Sequence, residues 1–223
     1  MAVNRATDRQ ALSVAEAHLA RVAHEGLAGH PHLAALTTVT HVHTARDLSD
    51  AVHLLCQLYG RHPGLIEIAL GNCPAGPVRD WLLAASDSFE RERLFLVRLT
   101  AAVGPVPSTP GASDTETTLL AQRHALETLA RSERSGCALG AATALIGDWR
   151  AIRGVLDCAA GRSNMEVPVS TMPDEESLTS AINHGASGMA AERALGFGGE
   201  QLLLQNRGLF DLLEARASAR GDS

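Results

Sequence analysis

The chain has 223 residues, of which 45% are hydrophobic and 20% charged, a length and balance that suit one globular domain with its own core. Nineteen basic against twenty-five acidic residues leave a net charge of −6, the wrong sign for a surface that follows phosphates, so a nucleic-acid partner is not expected. Every one of the nineteen cations is arginine; without lysine there is no side-chain amine for a Schiff base, no Walker A cation and no kinase strand lysine.

Taken in order, the chain reads as helix nearly throughout. A first helix is predicted from about residue 7 to 27, with Leu12, Ala15, Leu19 and Val22 on one stripe and Gly26 and Gly29 closing it. Periodicity fails over 29–46, which is expected to be a loop. Inside it, residues 38–44 alternate, which would put Val39, His41 and His43 on one side of an extended segment. Asp47 suits the N-cap of a second helix ending at Gly60 and burying Leu48, Val52, Leu55 and Tyr59. A short apolar piece, 65–70, follows Pro63, and Pro77 opens a long helix running to Val103. At about 100° per residue, the inward stripe of that helix is Val78, Leu82, Ala85, Phe89, Glu92, Leu96, Leu99 and Val103.

The glycine- and proline-rich stretch 104–112 is the clearest break in the chain. Ser113 and Glu116 then fit a capping box for a helix with Leu119, Leu126, Leu129 and Ala130 inward. Ser135-Gly136 either turns the chain or lies within a continuing helix. The next stripe, Ala138, Ala141, Leu145, Trp149, Ile152, Leu156 and Ala159, ends at Gly161, and Gly136, Gly140, Ala141 and Ala144 would admit a neighbouring helix closely. After a loop at 161–172, Pro173 opens a helix that falters near Gly185. A last helix turns Ala191, Leu195, Gly198, Leu202, Leu209 and Leu213 inward, and 217–223 are expected to fray. The expected fold is therefore all-α: one domain over 1–223, ordered from about 7 to 216, built as a bundle of four long core helices with N-terminal and shorter ones around them.

The seven aromatic residues (four Phe, two Trp, one Tyr) form no stacking platform in the sequence. None of Cys56, Cys73, Cys137 and Cys158 has metal-finger or CxxC spacing, so buried free thiols are expected. No apolar run reaches the ~18 residues that span a bilayer, and no secretory leader is legible at the start. A cytoplasmic protein without a membrane partner is the expectation.

Ten histidines are present. His41 and His43 are the sharpest local pair: in an extended strand they could hold one divalent ion, with Asp47, Asp50 or His53 as a third ligand. Surface or helix-capping histidines are the plainer reading. Glu92 falls on an apolar stripe, Glu133 is read on the following helix, and Asp148 borders Trp149; buried carboxylates must be paired or metal-bound. Inward carboxylates build di-iron sites in bundles, but those need Glu-x-x-His pairs, and no glutamate here has histidine three residues on. Ion pairs from Glu92 and Glu133 to Arg93, Arg123 or Arg134 are expected instead. No Gly-x-Ser-x-Gly elbow is present, and the glycines at 196–199 follow no strand, so they suggest a tight crossing or kink.

The segments CALGAATALIGDWRAIRGVLDCAA (137–160) and AERALGFGGEQLLLQNRGLFDLLEAR (191–216) resemble a bacterial family of unknown function; that resemblance implies a helical cytoplasmic protein and assigns no catalytic residue. The bundle outline is also similar to the ferritin-like group. The first functional expectation is a non-catalytic helical protein that binds a protein partner or a second copy of itself, with no cofactor. The alternatives are a metal- or oxygen-handling bundle using Glu92, Glu133, His41 or His43, and a small-ligand carrier with its pocket near Trp149, Gly198 and Asn206.

Overall fold

A computed structural model describes residues 12–38 and 42–221. Among these the chain forms α1 (Val14–Glu25), α2 (Pro31–Thr38), α3 (Thr44–Tyr59), α4 (Leu65–Asn72), α5 (Pro77–Ala102), α6 (Ala112–Ala130), α7 (Cys137–Arg162), α8 (Glu175–Gly185) and α9 (Met189–Gly221), with no strand among the described residues. The fold is all-α, and α5, α6, α7 and α9 are its four long rods.

Helix α7 is the axis of the molecule and touches each of the other eight helices. Its sequence explains this: Leu139, Ala142, Leu145, Ile146, Trp149 and Val155 lie on different sides of the rod, and all are buried, and its first half, 137–147, carries no charged residue. It packs most intimately on α9, where glycine allows backbone to meet backbone. A Cβ on Gly140 would sit 2.0 Å from the Leu195 carbonyl oxygen, and one on Gly198 would sit 2.0 Å from that of Cys137. The small residues read from the sequence as a close crossing are where the two rods meet.

Helix ends follow local chemistry. Ser13 and Glu16 form a reciprocal capping box at α1, and Pro77 occupies the first turn of α5. Gly136, at φ +92°, turns the chain between α6 and α7, so the helix does not run through Ser135-Gly136.

Four expectations are corrected. The predicted loop 29–46 contains α2, which Pro31 opens. Residue 43 lies in a turn and has helical backbone angles, while Thr38 ends one helix and Thr44 starts the next; Val39 and His41 lie outside the described residues. The second helix starts at Thr44, placing Asp47 inside its first turn rather than at its cap. Ser113 and Glu116 make no capping box because Gly111, at φ +73°, starts α6 two residues earlier. Finally, α9 stays helical to Gly221, held there by Arg216 and Arg220, both buried.

Candidate functional site

Among the described residues, several groups of polar side chains enter the core, and four of them join elements distant in sequence. Glu92 is 2% exposed on the inner face of α5. Its carboxylate accepts from Trp149 Nε1 at 3.1 Å, Arg153 Nη1 at 2.6 Å and Ser170 Oγ at 2.8 Å. Arg153 spreads its other donors to Asp157 (Nε, 2.6 Å) and to the Pro168 carbonyl, and its guanidinium lies over the Phe95 ring. Glu92 thus fastens the segment between α7 and α8 to α5. The expectation of an ion pair at Glu92 is met with Arg153, not with Arg93, Arg123 or Arg134. Arg93 instead binds Glu67 (2.9 Å), Glu90 and the Tyr59 carbonyl.

Behind Trp149 lies a second chain of bonds. The Tyr59 hydroxyl donates to Asn206 Oδ1, and Asn206 Nδ2 donates to Asp148 Oδ2 at 2.7 Å. The other oxygen of Asp148 accepts the Leu27 amide, also at 2.7 Å. A Cβ at Gly26 would stand 2.5 Å from Asp148 Oδ1, so glycine there lets the carboxylate reach the end of α1. Burial raises the Asp148 carboxyl above the usual range, while Asn206 and Leu27 pull it back. Burial also pushes the Tyr59 phenol well up, with Asp148 adding to the shift. A phenol so held stays protonated and donates.

The third centre joins α3 to the end of α9. Asp50, fully buried, takes a bidentate grip from Arg216 (Nε 2.9 Å, Nη2 2.7 Å) and a bond from Arg220 Nη1 at 2.5 Å. Arg220 also reaches Asp47 at 3.0 Å and Thr109, and Arg216 reaches Thr115. Asp47 and Asp50 thus face Arg216 and Arg220 in the interior, and the more exposed Arg46 adds a bond to Asp47 at 3.3 Å.

Histidine forms the fourth. His18 is buried against α7, with Nε2 3.0 Å from Thr143 Oγ1. The Thr143 hydroxyl already donates to Leu139 or Gly140, so Nε2 donates to it and Nδ1 is left without a partner. Burial, with Arg21 in support, lowers its pKa to about 4. His30 is 1% exposed; its Nδ1 accepts the His32 amide, so Nε2 carries the proton and donates to Asp211 at 3.0 Å. His18 is neither a surface nor a capping histidine, whereas His30 meets the capping expectation, since its Nδ1 and its carbonyl accept the His32 and Ala34 amides in the first turn of α2.

The remaining sequence candidates are not drawn together with Glu92. Glu133 lies in the exposed turn between α6 and α7 rather than on a helix, and His43 is exposed at the start of α3; His41 lies outside the described residues. Among the described residues, no three His, Cys, Asp or Glu side chains stand at metal-binding spacing. The pocket expected near Trp149, Gly198 and Asn206 is solid: Trp149 and Asn206 are 1% exposed, and Gly198 lies under the α7 backbone. Sequence reasoning missed the pairing of Asp47 and Asp50 with Arg216 and Arg220, although spacings of three and four residues place each pair on one helix face. Among the described residues, no helix is long and apolar enough to cross a membrane.

A family model described as a family of unknown function (DUF6975) matches residues 22–221, and the chain belongs to that family. No curated protein and no solved structure matches it.

Proposed function

We propose that this DUF6975 protein is non-catalytic and works by binding a protein partner or a second copy of itself in the cytoplasm. The observation that supports this is the use made of its inward carboxylates. Glu67, Glu92 and Asp148 are each engaged by fixed donors from at least two elements, and Asp50 by two arginines of α9. A catalytic acid or base needs a proton path to a reacting atom, and these groups spend their acceptor capacity on helix ends, loops and guanidiniums. Binding through an outer helix face is favoured by α5, where Leu83, Leu94 and Val97 fall on one outward stripe and are 54%, 48% and 44% exposed. Free thiols at all four cysteines accord with a reducing compartment.

Sedimentation velocity over a wide range of protein concentration tests the self-association arm. The expected result is a size that grows with concentration in the wild type and not in a Leu94→Glu, Val97→Glu variant. A strict monomer at every concentration would restrict the reading to a foreign partner. Elemental analysis of untagged protein tests the whole: stoichiometric iron, manganese or zinc, lost on Glu92→Gln or His43→Ala, would replace binding by metal chemistry.

A further inference from the structure

The end of α3, the turn at 60–64, the start of α4 and the middle of α6 enclose a cavity of about 270 Å³. Its walls are core side chains, Leu58, Tyr59, Leu65, Phe89, Leu126 and Leu145. The Tyr59 hydroxyl is turned away and committed to Asn206, so these walls offer a guest no hydrogen bond. The charged and titratable lining is Arg61, His62, Arg123, Glu127 and Arg131. That is three guanidiniums against one carboxylate, in a chain whose net charge is −6.

The cations are poorly matched from within. Glu127 meets Arg131 only at 3.9 Å. Arg123 gives one nitrogen to the Gln57 carbonyl at 2.9 Å, while its buried Nε has no hydrogen-bond partner. Burial and the nearby Arg61 both disfavour its charge, with Glu127 opposing. Like charges held together over an apolar hollow, one with a buried donor unused, form a site short of an anion.

We propose that this cavity binds a small amphipathic carboxylic acid, with its carboxylate held by Arg61 and Arg123 and its hydrocarbon body against Leu58, Leu65 and Leu126. The guanidinium fork matches a carboxylate in plane and spacing. At about 270 Å³ the cavity lies just below the roughly 300–1,000 Å³ of most ligand pockets, so it takes a medium-chain acid rather than a nucleotide or a long-chain lipid. The site is separate from the outer face of α5 and goes beyond the binding role proposed above, which sizing tests independently.

Isothermal titration of octanoate into the full chain provides the test, with octylamine, acetate and inorganic phosphate as comparisons. Octanoate is expected to bind saturably. Acetate and phosphate should bind roughly tenfold more weakly or not at all, and octylamine should not bind. Arg123→Gln and Arg61→Gln should each weaken octanoate by roughly tenfold or more, the loss that follows removal of a charge-assisted hydrogen bond. Arg61 is exposed, so its variant stays decisive even where Arg123→Gln folds poorly, and thermal melts of both confirm folding. Absence of saturable octanoate binding, equal binding of phosphate, or unchanged affinity in Arg61→Gln would each overturn the proposal.

Discussion

Asp50→Asn is the most telling single change, because it preserves shape and removes only charge. In the folded protein Asp50 accepts three bonds from two buried arginines, at 2.9, 2.7 and 2.5 Å. Asparagine retains one acceptor oxygen but turns an amide donor toward a guanidinium. Charge-assisted bonds contribute about 1.5–3 kcal/mol each, so losing all three would exceed what is expected here. The retained oxygen keeps one or two of these bonds according to which position it takes, and Asp47 still faces Arg220 at 3.0 Å. The relevant scale is the breaking of a buried pair with one partner left behind, about 3–5 kcal/mol. For a chain of this size, that lowers the melting temperature by roughly 6–20 °C. Urea unfolding followed by circular dichroism measures it, with the exposed Asp87→Asn as a control expected within about 0.5 kcal/mol of wild type. A double-mutant cycle with Arg216→Met separates the pair from the general loss of packing. A cost for Asp50→Asn below about 1 kcal/mol would refute the view that this cluster holds the end of α9.

Glu92→Gln leaves the buried Arg153 with only the half-exposed Asp157 as counter-charge and should destabilise by about 3 kcal/mol or somewhat less; amide exchange over 165–173 should quicken more than over α1, and uniform quickening would count against the clamp. His18 sets a pH dependence: its folded pKa, about 4, lies below the ~6.5 of a free imidazole. Between those values the unfolded chain binds a proton that the folded chain refuses. Its contribution is therefore complete above about pH 6.5 and declines as pH falls toward 4, by up to about 3 kcal/mol. His18→Gln should flatten that part of the stability–pH curve, and an unchanged slope would exclude His18 as its source. Gly140→Ala and Gly198→Ala push a methyl into opposing backbone and should each cost about 1–3 kcal/mol or more; the exposed Gly71→Ala, with open space around it, should cost nothing measurable in the same melts.

What could be read from the sequence depended on how local each cause was. Helix α5 was legible to within a residue because Pro77 starts it and Gly104-Pro105 follows its end. Glu92 was legible as an anomaly on an apolar stripe, but its partner was not, since Arg153 lies 61 positions away and no local rule selects it over Arg93. Helix α2 escaped notice because eight residues with buried His32, Leu33 and Leu36 span barely two turns, too few for a period to show. The Ser113–Glu116 box was a valid local signal that lost to Gly111, whose left-handed backbone starts the helix earlier. Arg220 looked like part of a fraying tail; its distant partners Asp47, Asp50 and Thr109, which no local pattern selects, are what hold that tail wound.

The all-arginine composition, which taken alone only excludes lysine chemistries, takes on further meaning in this interior. Arg153 serves Glu92, Asp157 and the Pro168 carbonyl from three nitrogens of one plane. Arg216 serves both oxygens of Asp50 as well as Thr115. A lysine ammonium brings three donors to a point and cannot address acceptors spread along a planar fork. Arginine is also less tightly hydrated, so burying it is less costly for the fold. The same property makes unmatched arginines conspicuous. Where Arg93, Arg153, Arg216 and Arg220 are each matched by carboxylates, Arg61 and Arg123 stand together beside an apolar hollow, and the contrast between these two groups is what separates helix alignment from the proposed ligand binding in this molecule.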